Sequence, residues 1–367
     1  MLKNFLKLDW ILIVTVLLLL GLSLAILYPI SYSGGELNKE RGHFFRQLIF
    51  VIIGLVVFFV FAFSDYRNWS GVSTYLFLAG LLGLFLVLIF GKTIRGTSGW
   101  LSLGLFNLQP VEPFKLIIVV ALARYFSLNA KGIGSWKHIL TSFIPVFISL
   151  MLVLKQPDLG SAVVILGIWL GILLIGGAKK SHLLVLLVSV AIIFLAGWSF
   201  FLKGYQKERI EILLHPSSDP LGAGYNVIQS TVAVGSGGFW GKGLGHGSQS
   251  QLNFLPEKHT DFIFAVLSEE LGLGGALFVL ALMAILMLRL FSIAQSSRDN
   301  FGRFLVSGFI MIIFIQSVIN IGMNIGLVPV AGIPLPLVSY GGSSLVTMLA
   351  ALGISESVFR KSRKGID

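Results

Sequence analysis

The chain of 367 residues contains no cysteine. That absence excludes disulfides, thiolate nucleophiles and Cys-ligated metals. Charge is also scarce. Asp, Glu, Lys and Arg make up 12% of the residues, roughly half of what a soluble globular chain carries. A G-x-x-x-x-G-K-[ST] loop is missing too, so nothing points to work driven by hydrolysis of a bound nucleotide. What fills the chain is apolar: 56% hydrophobic residues and a mean hydropathy of +0.91.

Apolar runs of about 18 residues or more recur along the sequence, the length needed to cross a bilayer as a helix. They are continuous, whereas barrel strands alternate over about 10 residues. The expected fold is therefore an all-α polytopic membrane protein. About ten spans are expected, near 9–30, 44–63, 73–90, 111–127, 139–154, 159–176, 182–202, 262–290, 303–327 and 341–359. The first run follows Lys3 and Lys7, exceeds the length of a signal-peptide core and is read as a retained helix. The net charge of +11 reflects loop Lys and Arg that orient the chain, not nucleic-acid binding. With Met1 inside, fifteen basic residues fall in short segments on the inner side. Five fall on the outer side: Lys39, Arg41, Arg46, Lys92 and Arg95. Both termini are thus expected in the cytoplasm, with one transmembrane domain over 1–367 and a large extracytoplasmic loop, 203–260, between helices 7 and 8.

Several polar clusters interrupt the apolar background. Residues 253–271 read NFLPEKHTDFIFAVLSEEL, with Glu257, Lys258, His259 and Asp261 directly before an apolar run. Thr260 or Asp261 could cap the following helix. Asp261 could equally be a general base at a membrane–water boundary, where partial desolvation raises a carboxylate toward useful basicity. In QPVEPFK (109–115), Glu112 and Lys115 stand i, i+3 and share a helix face. They read either as a local ion pair or as a polar floor in which Lys115 contacts phosphate. In KQPDLG (155–160), Pro157 and Asp158 suit a tight turn.

The glycine-rich stretch GSGGFWGKGLGHG (235–247) has no strand before it and is no dinucleotide fingerprint. Its amides could cradle phosphate, with Gly245 allowing close backbone approach, or it could be a flexible or reentrant loop. Gln316, Asn320 and Asn324 stand i, i+4, i+8 on the ninth span, as interhelical glue or as a cavity lining. The segment LVPVAGIPLPLVSYGGSS (327–344), which includes Ser343, is irregular at membrane depth. Such backbone is tolerated where it is buried in protein or lines a cavity.

Taken in order, QPVEPFK, QPDLG, DPLGAGYNVIQS, the run from GSGGFW to SEELG, and NIGMNIGLVPVAGIPLPLVSYGGSS resemble the SEDS family of bacterial cell-wall polymerases. The resemblance runs from about residue 90 to the C-terminus. FLPEKHTDFIF and GIPLPLVSYGGSS are most similar to the elongation branch, with the division and sporulation branches close behind. The resemblance implies a peptidoglycan glycosyltransferase of the bacterial inner membrane, active on the extracytoplasmic side. Its substrate would be lipid II, a disaccharide-pentapeptide on undecaprenyl pyrophosphate. The 4-hydroxyl of a GlcNAc would attack C1 of MurNAc on the lipid-linked chain, and undecaprenyl pyrophosphate would leave.

The family's essential aspartate falls on Asp261, and its QPxE…K motif on Gln109, Pro110, Glu112 and Lys115. Relatives often carry a basic residue just before the Trp at position 100; here it is Gly99, and Arg95 is the substitute expected. Substrate contacts are thus expected from Lys115, Glu112, Arg95, Gln109, Lys258, His259, Gly245 and Ser343, with Asp261 catalytic. A divalent cation, Mg2+ or Mn2+, could join Lys115, Arg95 and the glycine-loop amides in offsetting pyrophosphate charge. One strong carboxylate suits transfer by a single base better than the paired carboxylates of glycoside hydrolases. Expected partners are a single-pass class B penicillin-binding protein and other elongation-machinery membrane proteins. The rival readings are a lipid II flippase and a non-catalytic scaffold for a transpeptidase.

Overall fold

The computed structural model describes residues 8–32, 41–94, 97–102, 104, 107–200, 204–220 and 222–363. Three helices open the chain: α1 (Trp10–Tyr32), α2 (Arg41–Phe63) and α3 (Asn68–Phe90). A small antiparallel sheet follows, in the order β1 (Lys92–Ile94), β2 (Thr97–Ser102), β3 (Asn107–Leu108). The next four helices are α4 (Val111–Leu128), α5 (Trp136–Lys155), α6 (Leu159–Ile175) and α7 (Lys180–Phe200). Then come the shorter α8 (Gly204–Leu214), α9 (Ala223–Ser236) and α10 (Ser248–Gln251). Three long helices close the chain: α11 (Ile263–Ser296), α12 (Asn300–Asn324) and α13 (Gly342–Arg363).

Each of the ten expected spans coincides with one of the longer helices. Among the described residues, seven (α1, α2, α3, α5, α11, α12 and α13) are long and apolar enough to cross a membrane. The helix ends depart from the apolar runs. α11 continues to Ser296, and at Gly272 it turns through φ 66°, a conformation an L side chain resists. The small sheet was not foreseen in an all-α reading. Segment 203–260, expected as a loop, carries α8, α9 and α10, and α9 packs on α11.

Apolar side chains serve two surfaces. On α2, Ile49, Ile52, Val56 and Val60 repeat at helical spacing and are exposed, the pattern of a lipid-facing stripe. On α12, Phe309, Ile313 and Asn320 are fully buried, placing this helix inside the bundle. The termini meet at one end. The Asp9 amide donates to Glu356 on α13, and Arg289 on α11 pairs with the Asp9 carboxylate. The links between α2 and α3 and between α11 and α12 lie at this end as well. There Tyr66 donates to Asp299, and Lys361 pairs with Asp65. Burial first, and then that hydrogen bond to Asp299, push the Tyr66 hydroxyl up to about 12, so it stays a donor at ordinary pH. The polar clusters of the sequence gather at the opposite end.

Candidate functional site

Asp261 occupies the last turn before α11. The cap of α11 is Phe262, without a side-chain cap bond, so neither Thr260 nor Asp261 caps this helix. The Asp261 side chain instead lines a cavity of about 430 Å³. Its backbone is clamped from α12. Asn320 Nδ2 and Asn324 Nδ2 each donate to the Asp261 carbonyl at 3.0 Å. Asn324 Oδ1 in turn accepts from the Ala265 amide at 3.0 Å. Asn320 also donates to the Ile333 carbonyl at 2.7 Å, tying the irregular segment 327–341 to the same point. From that segment Ser339 Oγ donates to the Thr260 carbonyl at 2.7 Å, and the Tyr340 amide donates to the His259 carbonyl at 2.9 Å. Two of the three residues of the polar stripe are therefore glue, and what they fix is the backbone of residues 259–261. The third, Gln316, borders a small void with Glu112 and Lys115, and its amide makes no hydrogen bond among the described residues.

Gln109, Glu112 and Ser343 share the cavity with Asp261. The Gln109 amide donates to Ser343 Oγ at 3.3 Å, which joins the start of α4 to the start of α13. Asp158 also lines the cavity. The turn at Pro157 delivers it to cap α6, where it accepts from the Ser161 amide at 2.9 Å, and Gln109 Nε2 reaches it at 3.4 Å.

Three other expected contacts, Lys115, Lys258 and His259, lie off this lining. Lys115 sits below the cavity floor rather than on its lining. It is 2% exposed and bonds Glu112 at 2.8 Å, because an ammonium at that depth needs a carboxylate partner. Lys258 points back into segment 248–253, donating to the Ser250 carbonyl and to Asn253 Oδ1. His259 does not line the cavity directly. Its ring stacks on His43 at 4.5 Å and meets Tyr340 edge-on, and those two residues line the cavity. Arg95 lies outside the described residues.

The glycine-rich loop holds an anion, but an internal one. Lys242 Nζ bonds Glu269 at 2.8 Å, and the Gln249 and Ser250 amides donate to the same carboxylate at 2.9 and 3.0 Å. Gln251 and the Gly245 amide reach Glu270. The cradle expected for phosphate is filled by the first turns of α11. Gly245 does permit a close approach, to Pro29 of α1: a Cβ there would stand 3.1 Å from the proline ring. The loop is thus stapled to α11, not flexible.

Among the lining residues that were not expected as contacts from the sequence are His43, Arg46, Arg209 and Trp100. Arg46 entered only as an orienting charge. Arg209 sits on α8, in a segment that carries no apolar signal, and donates to the Val330 carbonyl at 3.1 Å. Among the described residues, no group of three or more His, Asp or Glu side chains is placed to hold a metal.

The family model for the FtsW/RodA/SpoVE cell cycle proteins matches residues 9–364. Peptidoglycan glycosyltransferase MrdB of Escherichia coli (strain K12) is 41% identical over 321 residues, covering 88% of this chain and 86% of that protein. Stage V sporulation protein E of Bacillus subtilis (strain 168) is 39% identical over 365 residues, covering 97% of this chain and 98% of that protein. Among solved structures, a chain from work on the structural coordination of polymerization and crosslinking by a peptidoglycan synthase complex aligns with a TM-score of 0.80. It shares 35% identity over 97% of this chain and 99% of that one. The rod shape determining protein RodA of Thermus thermophilus aligns with a TM-score of 0.71 and 30% identity, over 98% of this chain and 99% of that one. With its apolar helical spans and a match across nearly its whole length, the chain is a multi-pass membrane protein of the FtsW/RodA/SpoVE family, the SEDS proteins.

Proposed function

We propose that this protein is a peptidoglycan glycosyltransferase that polymerises lipid II during cell elongation. The observation that carries the reading is Asp261: a carboxylate in a polar-lined cavity at one end of an apolar bundle, its backbone clamped by two asparagines. A lipid-linked sugar needs both surroundings, hydrocarbon for its tail and a wet polar site for its sugar. The relative named peptidoglycan glycosyltransferase and the solved peptidoglycan synthase complex support the same chemistry.

Asp261 accepts the proton of the acceptor 4-hydroxyl as its oxygen attacks C1 of the donor sugar. The C1–O bond to the diphosphate breaks, and undecaprenyl pyrophosphate departs. Proton transfer of this kind contributes roughly 10²–10⁴ in rate. Gln109 and Ser343 border the sugar site, and Glu112 shapes its floor with Lys115 behind it. A divalent cation, Mg2+ or Mn2+, fits as a companion of the diphosphate rather than as a caged cofactor. The site end faces away from the cytoplasm, both termini face it, and the chain acts as one transmembrane domain. The partner is a single-pass class B penicillin-binding protein, consistent with the synthase complex, within a larger set of elongation membrane proteins.

The test is polymerisation in detergent. Purified protein with its transpeptidase, the crosslinking site blocked, is given labelled lipid II and the products are run on a gel. A ladder from wild type and none from Asp261→Ala is expected. Ladders from both would remove Asp261 from the mechanism. No ladder from either, with folding and complex formation intact, would favour a flippase or a scaffold.

A further inference from the structure

The proposed reaction releases a diphosphate, yet two of the three cationic or amide groups expected to hold it are engaged elsewhere. Lys115 is buried against Glu112, and the glycine-rich loop is wrapped on Glu269 and Glu270. The third, Arg95, lies outside the described residues. Among the described residues lining the Asp261 cavity, the permanent cations are Arg46 and Arg209.

Both are positioned by the elements that build the site. Arg46 precedes Gln47, which is fully buried. Gln47 Nε2 donates to Ser23 Oγ and the Ser339 carbonyl, and its Oε1 accepts from the Gly341 amide. These bonds fix this turn of α2 against the segment that also holds residues 259 and 260. Arg46 stands i+3 from His43, so the two share a face, and His43 stacks on His259, two residues before Asp261. Among the described residues nothing pairs with the exposed Arg46 guanidinium. Arg209 reaches the same cavity from α8. One of its nitrogens is spent on the Val330 carbonyl, which fixes the direction of its fork.

We infer that Arg46 and Arg209 form the diphosphate clamp of this cavity, gripping the departing pyrophosphate of the lipid-linked donor from two sides. This rests on the glycosyltransferase reading. A guanidinium suits the task because its planar fork matches phosphate oxygens and stays charged at any working pH. Asp158, Glu112 and Asp261 line the same cavity, so the two cations also keep the pocket from repelling a polyanion.

The experiment uses the full-length Asp261→Asn protein in detergent, whose turnover is expected to be low, and measures binding of farnesyl diphosphate against farnesol. The parent is expected to prefer the diphosphate, with inorganic diphosphate as a competitor. Arg46→Ala and Arg209→Ala are each expected to lower that preference about 10- to 100-fold, the loss of one or two charge-assisted hydrogen bonds, while farnesol binding stays put. Arg46→Lys is expected to keep part of it. Full preference in either alanine variant overturns the clamp, as does equal displacement by phosphatidylglycerol, which would make this a general anionic-headgroup site. The two readings fail separately. Wild-type polymerisation with an unaltered preference in Arg46→Ala removes only the clamp. Selective diphosphate binding without any polymerisation removes the transferase reading and keeps the site.

Discussion

At the residue scale, chemistry is concentrated on one side chain and its backbone supports. Asp261→Asn keeps the shape of the carboxylate and removes its basicity. Its polymer output is expected to fall about 10²- to 10⁴-fold while its thermal unfolding stays near wild type. Size-exclusion and melting profiles, run beside the glycan gel, check both halves of that statement. Asn320 and Asn324 act one step back, through the carbonyl of Asp261. Asn324→Ala removes one of the two donors to that carbonyl, leaving Asn320, and removes the side-chain acceptor of the Ala265 amide, leaving the Phe262 carbonyl. Each lost hydrogen bond costs about 0.5–1.5 kcal/mol, so a lower melting temperature and a lower turnover are expected together. Asn324→Asp retains an acceptor for Ala265 but sets a carboxylate against the Asp261 carbonyl. It should lower turnover at least as much as the alanine, and unchanged turnover in both variants would leave the clamp a purely structural feature.

At the element scale, the informative unit is the pairing of the glycine-rich loop with α11. The loop encloses Glu269, which is fully buried, and Lys242 is its cationic partner. Lys242→Met leaves that carboxylate without its cationic partner, held by the Gln249 and Ser250 amides and the Ser248 hydroxyl. The loop should then be cut faster by a soluble protease between residues 237 and 251, because its anchoring to α11 is weakened. A limited-digestion time course followed by mass spectrometry would show this, and an unaltered cleavage rate would mean that the remaining hydrogen bonds hold the loop without the Lys242 ion pair. α8 is the other element of interest, since it brings Arg209 over the cavity from a segment without any apolar signal.

At the scale of the whole molecule, Asp9 before α1 and Glu356 on α13 meet at one end, while the site gathers at the other. The absence of cysteine makes this directly measurable, since any introduced thiol is the only one in the chain. A cysteine at Trp240, an exposed residue of the glycine-rich loop, should react with an impermeant maleimide added outside whole cells or spheroplasts. A cysteine at Arg298, between α11 and α12, should react only after the membrane is opened. The reverse pattern would invert the proposed orientation and put the site in the cytoplasm.

The sequence by itself determined the class of molecule. Runs of apolar residues long enough to cross a bilayer force helices, because hydrocarbon offers no partner for backbone amides, and each expected span has its helix. It also marked Asp261, since an ionisable cluster at the lip of an apolar run stands out against so little charge; Glu112 stood out by its spacing to Lys115, Ser343 lay in an irregular segment, and Gln109 came only with the family resemblance. Only the tertiary structure decided which polar groups face each other. The i, i+3 spacing of Glu112 and Lys115 fits an ion pair and a ligand floor equally well, and burial chose the pair. The glycine-rich loop has the amides for an anion whatever the anion is, and packing put Glu270 against the Gly245 amide. Arg46 and Arg209 are 163 positions apart in the chain. No local pattern links them, because a helical bundle brings distant turns to one end by the length and direction of its spans.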